Sequence, residues 1–266
     1  MRRALLAALL VGAVVIGFVV LRDVRRGYRS TDGATLVHFT LRSRAVGKDL
    51  HELLVHPARG GSRTLLVLLH GRGSKPDSFL NQQFFDGLAA LGSRAPTVLL
   101  LDGGDHSYWH DRRDGRWGTM VLREAIPAGV ARTGAKKVAI GGISMGGFGA
   151  LELGARQPLR FCAVGGHSPA LWERAADTAP GAFDDAADFR RNDLLAAANR
   201  TALYATRVWI DVGADDPFRA ADALLAHRLQ VQDEQVVFHV WPGGHGGGYW
   251  QRHMAQYLRF YADACG

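Results

Sequence analysis

From residue 35 onward the chain alternates between short apolar stretches and longer amphipathic ones. TLVHFTLRS (35–43) and DLHELLVHP (49–57) alternate apolar with polar positions, as half-exposed antiparallel strands do when successive side chains point to opposite faces. The next six stretches differ in character. TLLVLLH (64–70), TVLLLD (97–102), VAIGG (138–142), FCAVGG (161–166), RVWIDVG (207–213) and VVFHVWPGG (236–244) are mostly continuous apolar runs ending in Gly, His or Asp, which suits strands buried on both faces of a parallel sheet. Between them, residues 79–92, 119–133, 146–157, 217–231 and 249–264 read as helices. The alternation predicts an α/β fold: a mostly parallel, doubly wound sheet opened by an antiparallel N-terminal hairpin. The Ala- and Asp-rich stretch 173–200 breaks the rhythm and is expected to form a small excursion over the sheet edge.

Length and composition confine this fold to one unit. The 266 residues are 47% hydrophobic, enough for one sizeable core but short for two. The formal charge of +7 is unevenly placed: residues 1–30 carry six Arg and one Asp, leaving 26 basic and 24 acidic side chains for the rest. A folded part so close to neutral argues against a nucleic-acid partner. The basic residues flank Ala4 to Leu21, eighteen uncharged and mostly apolar positions, which at 1.5 Å per residue span about 27 Å of a bilayer core. With no small-residue cleavage site in view, the reading is one transmembrane helix, an N-terminal signal anchor with its basic flank over 1–28, followed by a catalytic domain over 29–266. Cys162 and Cys265 are the two cysteines; a bridge between them depends on a Cα separation that the sequence does not disclose.

In an open parallel sheet ligands bind beyond the carboxyl ends of the strands, so polar residues directly after apolar runs are the candidates for chemistry. Gly142-Ile143-Ser144-Met145-Gly146 fits G-x-S-x-G, in which a sharp strand-to-helix turn lifts a serine hydroxyl clear of the sheet. Serine needs a base, and imidazole suits that task near neutral pH. The order serine, acid, histidine is met by Asp216 and His245, each just after an apolar run. Spacing favours Asp216 over Asp215 as the acid. Backbone N–H groups for an oxyanion are expected from Met145 and, in the loop LLHGRGS, from Arg72. His70 and His167 read as structural. In GGDHSYWHDR, His106, His110 and Asp111 could be read as metal ligands, but nothing indicates helical geometry there and no further cluster supports it, so the segment reads as a polar loop at the site mouth. Trp109 and Trp172, after strand ends, are candidates for the substrate pocket together with Asp111. No nucleotide-binding glycine motif follows a strand, and no metal or organic cofactor is implied.

The ordered set LLHGRGS, DGGDHSYWHD, IPAGVARTGAKKVAIGGISMGGFGALELG, DVGADDPF and PGGHGGGYW resembles the esterase D-like branch of the α/β-hydrolases, which includes S-formylglutathione hydrolases and secreted mycolyltransferases. The resemblance covers roughly residues 35–264. It implies Ser144 as nucleophile, His245 as base, Asp216 as orienting acid, Arg72 and Met145 as oxyanion donors, and a serine carboxylesterase working through an acyl-serine on a small-molecule or lipid ester. Acyl transfer to a sugar or lipid hydroxyl at the cell envelope is one alternative, and a non-catalytic envelope-binding module is the other. The chain departs from the mycolyltransferases in its His-Gly-Arg-Gly oxyanion loop and its Asp acid. Family members are often exported, so the catalytic domain is expected outside the cytoplasm, although the arginines after the apolar run, counted alone, would keep it inside. Oligomeric state is left open.

Overall fold

The computed structural model describes residues 27–266. The anchor expected at Ala4–Leu21 lies outside these residues; among the described residues no helix is long and apolar enough to cross a membrane. Eight strands form the main sheet: β1 (Thr35–Ser43), β2 (Lys48–His56), β3 (Thr64–Leu69), β4 (Thr97–Leu101), β5 (Lys137–Ile143), β6 (Ala163–His167), β7 (Arg207–Gly213) and β8 (Val236–Trp241). Their spatial order is β1-β2-β4-β3-β5-β6-β7-β8. β2 is antiparallel to both β1 and β4, and the other pairings are parallel. The order reverses between β4 and β3, and β3 then pairs with β5. This switch is where a doubly wound sheet opens a crevice for a ligand.

Alternation along β3 shows how the layers arise. Leu65, Val67 and Leu69 enter one core with Ile140, Ile126, Leu151 and Leu225. Leu66 and Leu68 enter the other, with Phe84, Phe85, Leu258 and Tyr261. Helices α1 (Gln82–Ala90) and α5 (Gly247–Ala264) therefore cover one face. The opposite face is covered by α2 (Ile126–Thr133), α3 (Met145–Arg156) and α4 (Arg219–Val231). α2 continues a short helix, Trp117–Met120, through a π turn over Val121–Ala125. Pro127, with no N–H and a ring that crowds the carbonyl four residues back, accounts for the opened hydrogen-bond ladder. β8 departs from the buried strand expected of it. It is the last strand of the sheet, and Val237 and Val240 stay 37% and 45% exposed.

Two features of the C-terminal helix matter for the site. The hydroxyl of Tyr261 lies over the paired glycines Gly141 and Gly165, where a Cβ on either would overlap it. Cys265, just past α5, is joined to Cys162 just ahead of β6, with Cα atoms 5.3 Å apart and a separation of 103 positions in sequence. Lys137 Nζ donates to the carbonyls of Cys265 and Gly266, both at 2.9 Å.

The stretch 173–200 does leave the sheet, as two short helices, Ala186–Arg191 and Leu194–Ala198. It is clamped by Arg112, which donates to the carbonyls of His106 and Gly181 at 2.6 Å each, and by the buried pair His110 Nε2 to Asp188 Oδ2 at 3.0 Å. Its Phe183 packs on Tyr108, His110 and Phe148, so the excursion walls one side of the crevice. Because the bridge from Cys162 closes a long loop, replacing both cysteines with Ala should lower stability by about 2–4 kcal/mol. The expected reading is a lower urea midpoint than that of the oxidised parent; equal midpoints would show that the bridge contributes nothing.

Candidate active site

β5 ends at Ile143 and α3 begins at Met145, so Ser144 alone makes the turn, with φ 57° and ψ −116°. A non-glycine residue there costs of order 1–3 kcal/mol and persists only when its surroundings hold it. The surroundings are specific. Ser144 N–H donates to the His167 carbonyl at 3.0 Å, while its own carbonyl accepts from Phe148 and Ala170, each at 3.0 Å. The glycines two residues to either side make the bend sterically feasible: a Cβ on Gly142 would overlap the Gly146 carbonyl, and one on Gly146 would overlap the Leu69 carbonyl.

The strands deliver the partners to the same rim. His245, in the loop after β8, lies with Nε2 2.8 Å from Ser144 Oγ and Nδ1 2.8 Å from Asp216 Oδ2. The carboxylate accepts at Nδ1, which leaves the unprotonated Nε2 to accept from the serine hydroxyl. Asp216 follows β7 and is buried; its other oxygen accepts from Phe218 N at 2.9 Å. Asp215 is exposed and forms no side-chain hydrogen bond with His245. Phe218 and Trp250 meet the imidazole edge to face, at 5.0 and 5.1 Å between ring centres. The buried carboxyl of Asp222, farther along α4, is held well above the usual carboxylate range by burial first and then by Asp216 and Asp211.

Met145 N is the first amide of α3 and Arg72 N belongs to the loop after β3; neither has an acceptor among the described residues. Met145 follows Ser144 directly and Arg72 lines the same cavity as Ser144; free amides of this kind are what an incipient oxyanion requires. The loop that carries Arg72 is braced from below. His70 Nδ1 donates to the Gly71 carbonyl at 2.8 Å and Nε2 accepts from Gly103 N at 3.0 Å, a pattern that only the neutral ring can make. Burial lowers the His70 pKa in the same sense. Gly73 N donates to Asp105 O at 2.8 Å, and Glu52 Oε2 accepts from Asp102 N at 2.7 Å. Burial pushes Glu52 up to about 8, with the Asp102 N–H opposing and the Asp102 carboxylate reinforcing the shift.

A cavity of about 440 Å³ opens above Ser144, walled by Tyr108, Ile143, Trp172, Phe218, Trp250 and Met254. Trp172 therefore lines the pocket. Trp109 and Asp111 do not. Tyr108 and Trp109 both have positive φ, 49° and 60°, and this double turn aims Tyr108 at the cavity and Trp109 into the core. The Trp109 ring is fully buried against Gly103 and Gly149, with Nε1 donating to the His70 carbonyl at 3.1 Å. Asp111 accepts from Thr119 N at 2.8 Å and Thr119 Oγ1 at 2.6 Å, closing the start of the helix over 117–133. His110 is paired with Asp188, and His106 leaves its carbonyl to Arg112.

Sequence reasoning missed Tyr108, Trp250 and a buried network beneath Ser144, Asp216 and His245. Asp211, fully buried in β7, accepts from Trp209 Nε1 at 2.8 Å, His167 Nδ1 at 2.7 Å, and the hydroxyls of Tyr249 and Tyr257 at 2.8 Å each. His167 Nε2 faces Tyr261 OH at 2.9 Å. The network joins the strand end whose carbonyl fixes Ser144 to the helix that follows His245. One signal was available: an Asp in the middle of the apolar run RVWIDVG has to be hydrogen-bonded when buried.

The model of the Esterase family ("Putative esterase") matches residues 55–261. The chain belongs to that family. It is an ester-hydrolysing enzyme on the α/β-hydrolase fold. Esterase Rv1288 of Mycobacterium tuberculosis is 29% identical over 175 residues, which is 59% of this chain and 38% of the relative, so this esterase spans well under half the length of that curated relative. A ferulic acid esterase superimposes with a TM-score of 0.76 at 21% identity, covering 88% of this chain and 98% of that one. An S-formylglutathione hydrolase from Agrobacterium tumefaciens gives 0.76 at 16%, covering 90% and 98%; MPT51 of M. tuberculosis gives 0.66 at 18%, covering 87% and 99%. At these identities the likeness speaks for the fold.

The strain at Ser144 gives this esterase a testable property. Ser144→Gly should unfold at higher denaturant than Ser144→Ala, by about 1 kcal/mol, because only the glycine relieves the positive φ. Since both variants lack the hydroxyl, thermal or urea denaturation isolates the backbone term; an alanine variant at least as stable as the glycine would show an unstrained turn.

Proposed function

We propose that this esterase is a serine carboxylesterase that works through an acyl-serine, with Ser144 as nucleophile, His245 as general base and acid, and Asp216 as the orienting carboxylate. The observation that carries the reading is the unbroken chain from Ser144 Oγ to His245 Nε2 and from Nδ1 to Asp216 Oδ2, both at 2.8 Å. Attack of Oγ on the ester carbonyl passes the serine proton to Nε2, and the carbonyl oxygen becomes an oxyanion held by the N–H groups of Met145 and Arg72. Collapse expels the alkoxide, which takes the proton from Nε2 and leaves as the alcohol. Water then gives a proton to Nε2 as it attacks the acyl group; the second collapse frees the acid and returns the proton to Ser144. The Asp216 carboxylate stabilises the transient imidazolium without taking its proton.

The cavity's apolar wall suits an apolar acyl or aryl group over a charged one. For location, the reading is an extracytoplasmic domain held to the membrane by the N-terminal run; the Cys162–Cys265 bridge favours an oxidising compartment.

Hydrolysis of p-nitrophenyl esters of increasing chain length tests the assignment. By analogy with other serine hydrolases, Ser144→Ala should lose about 10⁶ in kcat and Asp216→Asn about 10⁴, while Asp215→Asn stays close to the parent. A Ser144→Ala protein that retains turnover, or an Asp215 variant as damaged as the Asp216 one, would contradict it.

A further inference from the structure

The cavity above Ser144 does not end at its own rim. Ser78, Asn81 and Gln251 line it and also line a second groove of about 790 Å³. The two spaces differ in chemistry. The first is walled mainly by aromatic and aliphatic side chains, whereas the second mixes the polar Thr31, His38, Asp77 and Gln251 with Leu36 and Leu80, and it runs out at Gly27 and Tyr28. The end of the groove is thus the point at which the chain arrives from its N-terminal apolar run.

That point is fixed to the domain. Gln82 Oε1 accepts from the N–H groups of Arg29 at 2.8 Å and Ser30 at 3.2 Å, and the Tyr28 ring packs on Phe85 with centres 4.7 Å apart. Leu21, the last residue of the apolar run, precedes Gly27 by six positions, a reach of about 21 Å at most. Three of the five intervening residues, Arg22, Arg25 and Arg26, are arginines, and Arg29 follows Tyr28; such cations suit the headgroup layer of an anionic leaflet. A bilayer holding Ala4–Leu21 therefore lies within a lipid's length of the mouth of the groove.

We propose that the groove from Ser144 to Tyr28 faces the membrane and that the substrate is an amphiphilic ester drawn from it, with its acyl chain in the apolar cavity and its hydroxyl-bearing alcohol along Ser78, Gln251 and Thr31. The inference rests on the serine-esterase reading and on the anchor reading of Ala4–Leu21, and it adds a substrate class and a route of delivery. The chemistry is unchanged: the Oγ–acyl bond forms, the acyl–alkoxide bond breaks, and the alcohol leaves with the proton from His245 Nε2.

The test uses the full chain reconstituted in phosphatidylcholine vesicles that also carry a small fraction of diacylglycerol, with p-nitrophenyl butyrate as the soluble ester. Two variants are compared with the parent: a flexible Gly/Ser insertion of about twenty residues after Asp23, and Gln251→Trp. Lengthening the tether should lower the rate on the membrane ester about five- to tenfold, as effective concentration falls with linker length, with the soluble ester cleaved at the parent rate. Gln251→Trp should shift the ratio of the two kcat/KM values by about tenfold against diacylglycerol, through KM more than kcat. Ratios unchanged in both variants, or a parent that cleaves the soluble ester and leaves diacylglycerol intact, would overturn the proposal. A parent inert toward both esters would instead refute the serine-esterase reading itself, so the two failures are distinguishable.

Discussion

A serine hydroxyl can stand clear of a parallel sheet only if the chain turns sharply between strand and helix, and at Ser144 that turn takes a backbone conformation which a side chain disfavours. The arrangement therefore depends on what holds the turn. Three backbone hydrogen bonds tie Ser144 to His167, Phe148 and Ala170, and glycines at two residues either side allow strand β3 and helix α3 to close around it. The cost of the strained residue, of order 1–3 kcal/mol, is spread over this surrounding packing. The gain is that Oγ has a fixed position before any ligand arrives, which lowers the reorganisation needed at the moment of reaction.

Fixing one atom is of use only if its partners are fixed as well, and two buried polar networks serve that purpose. Under the loop that carries Arg72, neutral His70 joins Gly71 to Gly103 while Glu52 holds Asp102 and the Asp105 carbonyl holds Gly73. Under the histidine, Asp211 gathers Trp209, His167, Tyr249 and Tyr257, and Tyr261 completes the set through His167. The second network ends in α5, whose far end is bound to β6 through Cys162–Cys265. A buried carboxylate with four donors is tolerated in a core, whereas the same carboxylate with one donor removed is costly. The elements carrying Ser144 and His245 are thereby coupled through the interior as well as across the site.

Most of this was legible in the chain. Period-two alternation and continuous apolar runs located all eight strands, because a buried parallel strand has no polar face to disguise it; the exception in burial was β8, whose edge position depends on sheet order. The three residues that meet at the site were legible because strand ends in such a sheet all face one rim, and spacing alone favours Asp216, the carboxylate that meets His245. The pocket wall was less so. Tyr108 and Trp109 are neighbours, and which of them faces the cavity is decided by two successive positive φ angles that no periodicity reveals. Asp111 misled for a related reason: a polar residue in a loop near the mouth turned inward to satisfy Thr119. The pairing of Cys162 with Cys265 depended on where β6 and the end of α5 come to rest, which is a tertiary fact.

The central claim is that the hydroxyl of residue 144, alone among the serines, is activated by the imidazole of residue 245. Its most direct measurement is covalent capture: incubation of the folded protein with a fluorophosphonate, followed by peptide mass spectrometry to locate the adduct. The account predicts one modification, on Ser144, abolished when His245 is replaced by Ala. Labelling at another residue, undiminished labelling without the imidazole, or no labelling of the intact protein would contradict it.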